Sequence, residues 1–182
     1  KECSYFEIGT WRGESVINVV DVTKDCYTLN LSKKEIQELG LPKKYADLHG
    51  ILSKQNEKII HLTGNSLHFD FEKLNKKFDV IFIDGNHSYE YVKNDTEKVF
   101  KHLVKEDSIV IWHDYAFTPE IIRPEVLCGI LDGIPHKYKE NLYHVSNTIC
   151  AIYTTKNINS YKVDFPIKPE KIFEISCKIR NI

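Results

Sequence analysis

Short apolar runs rich in Val, Ile, Tyr and Phe alternate along the chain with longer polar segments whose apolar residues recur with helical spacing. That pattern predicts strand–helix units around a mostly parallel sheet. The first run is Tyr5-Phe6-Glu7-Ile8; after a loop ending at Gly13, the residues Ser15, Val16, Ile17, Val19 and Val20 supply one face of a helix. Further strands are predicted at residues 26–29, 59–63, 78–83 and 109–112. Ser32, with Glu35 three residues on, forms a capping box for a helix over 33–39, which Gly40 and Pro42 stop. Residues 42–58 read as loop with a short helix. A helix over 88–104 carries Tyr91, Val92, Val99 and Leu103 on one side, and another spans 125–131. Residues 137–143 and 148–153 are close enough in sequence to pair as antiparallel strands. Beyond them the chain is polar and holds Pro166 and Pro169, which predicts an extended segment with one strand at 172–175. The pattern therefore predicts one α/β domain over residues 1–155 and a C-terminal extension over 156–182.

Composition narrows the classes of function. The 182 residues suffice for a single sizeable core, and 25 Lys and Arg against 26 Asp and Glu create no field to recruit nucleic acid or an anionic membrane. No apolar run approaches the roughly 20 residues of a membrane-spanning helix, and the start has no signal-peptide layout. Cys3, Cys26, Cys128, Cys150 and Cys177 lack C-x-x-C spacing, and their odd number leaves a thiol unpaired, so a reducing, cytoplasmic setting is expected. Methionine is absent and the first strand lies close to the start, from which an upstream segment is expected.

The candidate chemistry lies just after the strands, where an open parallel sheet forms its ligand crevice. Those positions hold Glu7, Gly9 and Gly13; Asn30; Gly64, Asn65 and Ser66; Asp84, Gly85, Asn86 and His87; and His113 with Asp114. Gly9 permits a sharp backbone turn, and Gly13 permits a ligand to approach the following helix. Trp11, inside the first loop, is placed either to cover a ligand or to pack on the first helix. His87 and His113 are candidate general bases, with helix capping and loop orientation as the alternative roles. His49, His61, His68, His102, His136 and His144 share no ligand spacing and are read as surface or locally bonded residues.

The stretches FEIGTWRGES, YTLNLS, FDVIFIDGNHSYEYVKNDTE and IVIWHDY, in that order, resemble one group of class I S-adenosylmethionine-dependent methyltransferases. The resemblance implies a Rossmann-like, seven-stranded, mostly parallel sheet with an antiparallel last hairpin. It implies S-adenosylmethionine as cofactor, held by Glu7, Gly9, Thr10, Trp11, Gly13, Asn30, Leu31, Asn65, Ser66 and Asp84, with Glu7, Gly9 and Gly13 at the methionine end. The acceptor it implies is a small molecule, a hydroxyl of a sugar or another small compound. His87, His113 and Asp114 are the implied catalytic residues. Metal-dependent O-methyltransferases place ligands after strands four and five, so Asp84, His113 and Asp114 are a candidate set for a divalent ion. Self-association is left open.

Three positions depart from that pattern. Asn30 stands where an acid usually accepts both ribose hydroxyls, Asn65 where an Asp usually meets the adenine amino group, and Asn86 where a GDH version has Asp. A binding domain without catalysis is thus the alternative function. A nicotinamide-dependent oxidoreductase is disfavoured, because the first loop lacks G-x-G-x-x-G and the second strand ends in Asn30.

Overall fold

The computed structural model describes residues 3–162 together with 174 and 176. Five parallel strands form the centre of the sheet: β1 (Cys3–Ile8), β2 (Thr23–Asn30), β3 (Ile59–Thr63), β4 (Val80–Ile83) and β5 (Ile109–Trp112). A short hairpin, β6 (Ala116–Thr118) with β7 (Ile121–Ile122), stands apart, and β8 (Leu142–His144) pairs antiparallel with β9 (Ala151–Tyr153). The seven-stranded order is β3-β2-β1-β4-β5-β9-β8, with β9 antiparallel to β5. The mostly parallel sheet and its reversed last hairpin match the sequence expectation.

Period-two alternation places the two faces of β1 in two cores. Phe6 and Ile8 join the larger one with Phe78, Ile81, Val99, Leu103 and Ile130, and Tyr5 joins Val16, Val20, Cys26 and Ile59 on the other face. Helix α1 (Glu14–Val19) covers the second face. Helices α4 (Tyr89–Lys98) and α5 (Pro124–Gly133) cover the first, α4 running on into a π-helical turn over Val99–Leu103. Trp112 Nε1 donates to Thr96 Oγ1 at 3.0 Å and so ties β5 to α4. Among the described residues, no helix is long and apolar enough to cross a membrane, and Cys3, Cys26, Cys128 and Cys150 are unbridged.

Helix α2 (Lys33–Glu38) begins as its sequence predicts. Ser32 accepts from the Glu35 amide and the Glu35 carboxylate accepts from the Ser32 amide. The short helix expected within 42–58 is α3 (Lys43–Leu48). Two expectations are corrected. Residues 137–141 are not strand: His136–Asn141 is a 3-10 turn after Pro135, and it lays Tyr138 against Phe100 and Tyr153 at ring separations of 5.6 and 5.4 Å. The hairpin of β6 and β7 was not anticipated, its two strands holding only five residues with Phe117, Ile121 and Ile122 exposed. The strand expected at 172–175 falls outside the described residues except for Glu174.

Gly133 sets the spacing of α4 and α5. A Cβ there would lie 2.7 Å from the Lys93 carbonyl oxygen and 2.7 Å from Thr96 Cβ. Alanine ordinarily favours a helix over glycine by about 1 kcal/mol. Here the overlap with backbone must push two packed helices apart, so Gly133→Ala is expected to destabilise by about 1–3 kcal/mol. A urea unfolding midpoint that stays level or rises would contradict this packing.

Candidate functional site

The parallel register brings the carboxyl ends of the strands into line. Ile8 pairs with both Leu29 and Ile83, Asn30 with Thr63, and Ile83 with Trp112. The loops leaving these ends surround a cavity of about 560 Å³, within the range of small-molecule and cofactor sites. Of the residues picked out by sequence, Gly9, Trp11, Asn30, Leu31, Gly64, Asn65, Ser66, Asp84, Gly85, Asn86 and His87 line it. Ile36, Leu41, Tyr45 and Tyr91 line it as well and were missed as site residues. Tyr45 lies where the sequence carries only a weak helical signal, and the spacing of Tyr91 with Val92, Val99 and Leu103 signals only the packed side of a helix. The Trp11 ring lies 4.6 Å from that of Tyr45 in α3, so Trp11 packs against α3 at the cavity wall.

Glu7, Thr10 and Gly13 are not on the cavity. Period-two alternation turns Glu7 into the α1 face, where it is fully buried. Tyr5 Oη donates to its carboxylate at 2.8 Å, Thr28 Oγ1 at 2.9 Å, and Ser15 Oγ donates to it too. Burial pushes its pKa up to about 7 although these three donors work in the other direction. The Thr10 hydroxyl bonds that of Thr28. A Cβ on Gly13 would meet Ser53 Oγ at 2.2 Å, so its approach is to protein. These residues knit β1, β2 and α1 together beneath the first loop.

The three amides have different surroundings. Asn65 Oδ1 accepts from the Leu67 amide at 3.0 Å and Asn65 Nδ2 reaches Tyr91 Oη at 3.3 Å, which commits its side chain to shaping the loop after β3. Asn86 Oδ1 accepts the Ser88 amide at 2.8 Å at the start of α4, where the Ser88 side chain makes no capping bond. The loop carbonyl therefore does the local work that capping would have asked of His87. Asn30 meets His49: its Nδ2 lies 2.9 Å from His49 Nδ1.

Freed from the helix start, His87 turns to the carboxylates. Its Nε2 lies 3.1 Å from Asp114 Oδ2 and 3.6 Å from Asp84 Oδ1, while His113 Nδ1 lies 3.0 Å from Asp84 Oδ1 and 3.5 Å from Asp114 Oδ2. Arg123 Nη1 stands 3.8 Å from Asp114. Asp114 adopts the left-handed conformation, φ 51°, which aspartate tolerates better than most residues. Burial opposes the charge on Asp84, but His113 and His87 outweigh it and hold the carboxyl below its ordinary range. Asp84 in turn raises the pKa of His113 against the effect of burial. Among the described residues, the side chains whose ligand atoms all lie within 4.8 Å of one another are Asp84, His87 and Asp114. The histidine in that set is His87, whereas the sequence pointed to His113, which flanks it. His87 Nε2 and His113 Nδ1 are both buried without a well-directed hydrogen bond.

Comparison with known proteins adds three observations. Residues 6–115, more than half of the chain, match the family described as Methyltransferase domain. No curated protein matches by sequence. Among solved structures, the N-methyltransferase NodS from Bradyrhizobium japonicum WM9, in complex with S-adenosyl-L-homocysteine, superposes with a TM-score of 0.52 at 12% identity, over 85% of this chain and 80% of NodS. SAM-bound CalS10, an amino pentose methyltransferase from Micromonospora echinaspora, gives a TM-score of 0.47 at 12% identity over 68% of this chain. This chain spans only 47% of CalS10. The ribosomal protein L11 methylase from Lactobacillus delbrueckii subsp. bulgaricus gives 0.48 at 21% identity, over 86% of this chain and 72% of that one. The likeness to NodS is one of fold.

Proposed function

Because the chain belongs to the Methyltransferase domain family, matched over residues 6–115, we propose that it binds S-adenosylmethionine and transfers the methyl group to a hydroxyl of a small acceptor. The observation that carries the reading is the cavity at the carboxyl edge of the parallel strands, where apolar and aromatic walls meet the Asp84 carboxylate. When bound, S-adenosylmethionine supplies a methyl group on a positively charged sulfur, ready for in-line displacement. Ile36, Leu31 and Tyr91 would offer apolar surface to its base, Asn30 would meet the ribose, and Asp84 would accept the ammonium of the amino-acid end. Gly9 lets the first loop close on Asp84, since a Cβ there would overlap the Asp84 carbonyl.

The acceptor enters beside the histidine–carboxylate cluster. Alignment of the nucleophile does most of the work of methyl transfer, and a base contributes when the nucleophile is a weakly acidic hydroxyl. His87 takes that hydroxyl's proton at Nδ1, the ring nitrogen turned away from the carboxylates, and Asp114 stabilises the imidazolium. His113, its cation favoured by Asp84, offsets the charge of the two carboxylates.

Isothermal calorimetry with S-adenosylhomocysteine is the direct test: saturable heat is expected, and none would end the reading. Methyl transfer to an acceptor hydroxyl then separates an enzyme from a binding domain. Asp114→Asn keeps a residue that tolerates the left-handed backbone but removes the charge. It is expected to lower kcat by about 10²-fold while leaving S-adenosylhomocysteine affinity within about twofold. A kcat close to wild type would remove Asp114 from the catalytic set.

A second reading is favoured by the convergence of Asp84, His87 and Asp114 and by the absence of a well-directed hydrogen bond at His87 Nε2 and His113 Nδ1. These residues would hold a divalent ion that lowers the pKa of an acceptor hydroxyl, and the mixed nitrogen and oxygen donors suit Mn²⁺, Fe²⁺ or Zn²⁺ better than Mg²⁺. Elemental analysis of protein purified without chelator is expected to show metal in the wild type and less in Asp114→Asn. Equal contents would exclude the ion from this cluster.

A further inference from the structure

Asn30 ends β2 on the cavity wall, and behind it stands His49, the residue that follows α3. His49 Nδ1 lies 2.9 Å from Asn30 Nδ2 and 3.2 Å from the Trp11 carbonyl oxygen. That carbonyl already accepts the Gly50 amide at 2.7 Å. One ring nitrogen thus faces an amide and a carbonyl, and its protonation state decides which it can bond. An unprotonated Nδ1 accepts from the Asn30 NH₂; a protonated one donates to the Trp11 carbonyl and forces the Asn30 amide to turn over.

The surroundings favour the neutral ring, and the shorter approach to Asn30, 2.9 Å against 3.2 Å to a carbonyl that already has the Gly50 amide, favours the tautomer with Nδ1 bare. Burial lowers the pKa of His49 and outweighs the Trp11 carbonyl, which acts to raise it, while the charged or titratable groups facing it, His61 on β3, Lys54 beyond Gly50 and Lys33 on α2, act with burial. With Nδ1 accepting, the NH₂ of Asn30 is held by His49, which does not line the cavity, and Oδ1 is the atom of the amide left for a ligand there. A vicinal diol presents two O–H donors, for which a carbonyl oxygen is a partner and an NH₂ is not.

We propose that His49 is a positioning residue that fixes the Asn30 amide with its carbonyl toward the cavity, making a neutral acceptor for the ribose diol of an adenine nucleoside cofactor. The inference rests on the cofactor reading above. It gives this chain a two-residue, uncharged substitute for a single carboxylate, and it predicts that cofactor affinity depends on the state of a histidine outside the cavity.

The test is calorimetry with S-adenosylhomocysteine at pH 8 on the wild type, His49→Leu, Asn30→Asp and the double variant, each first checked for cooperative thermal unfolding. His49→Leu frees the amide to rotate and is expected to weaken binding about tenfold, the value of one well-placed hydrogen bond. In the Asn30→Asp background the same change is expected to cost less than about twofold, because a carboxylate has no wrong face. Rescue of this kind would not follow from a merely structural role. No heat with the wild type would overturn the cofactor reading itself. Wild-type binding with an unaffected His49→Leu, or no rescue by Asn30→Asp, would overturn the role of His49. Should His49→Leu fail to fold, the pH series decides: wild-type affinity is expected to stay level down through the ordinary histidine range and to fall below it, while Asn30→Asp falls less. Parallel profiles would refute the proposal.

Discussion

Gly9→Ala is expected to abolish S-adenosylhomocysteine binding and to cost at least about 3 kcal/mol of stability. Two independent effects combine at this position. The backbone at Gly9 has φ 98°, a conformation that strains any residue with a Cβ. A Cβ there would also lie 2.0 Å from the Asp84 carbonyl oxygen, 2.5 Å from its carbon and 2.9 Å from the Gly85 nitrogen. None of these atoms is the end of a flexible side chain. Relief would require the first loop and the loop after β4 to separate, yet Asp84 donates its amide to Ile8 at 2.8 Å and Gly9 donates to Leu29 at 2.8 Å. The methyl group therefore breaks the junction that brings Asp84 to the cavity. Urea unfolding and calorimetry on the same preparation check both halves of the expectation; a variant with wild-type midpoint and affinity would show the close approach to be dispensable.

The second large effect is a pH dependence of stability that Glu7→Gln removes. Burial raises Glu7 from its ordinary 4.5 to about 7, overcoming three hydroxyl donors. The unfolded chain ionises this carboxyl near 4.5, whereas the folded protein holds the proton until about pH 7. Stability from this group is thus complete below pH 4.5 and is lost as the pH rises to 7. The separation corresponds to about 3 kcal/mol. Glutamine has no proton to lose and can bond the same hydroxyls, which rotate to suit. The stability difference between wild type and Glu7→Gln is therefore expected to shift by about 3 kcal/mol in the variant's favour between pH 4.5 and 8. Urea midpoints measured across that range read it directly, and parallel curves would show that Glu7 does not titrate as its burial requires.

Much of the fold was legible because its signals are local. Short apolar runs marked β1 to β5, the Ser32–Glu35 spacing marked the start of α2, and residues too far apart for a hairpin marked the parallel crossovers. Residues 137–141 misled the reading because Tyr138 alternates with polar neighbours as a strand residue would. What decides its state is packing against Phe100 and Tyr153, from distant parts of the chain.

The candidate site divides in the same way. By itself the sequence determined which strand ends carry polar residues, and hence that Asp84, His87, His113 and Asp114 would gather at one edge, since a parallel sheet aligns the carboxyl ends of its strands. Only the tertiary structure decided which side chains face that edge and which turn away. Glu7 lies one residue from the end of β1 yet points into the opposite core, since neighbouring strand residues face opposite sides. His87 is free for Asp114 because Asn86 meets the amide of Ser88. His49 reaches Asn30 from a segment with no strong pattern of its own. Periodicity reports how a residue sits relative to its neighbours along the chain, whereas these partners are set by the meeting of separate loops, a relation that no local pattern encodes.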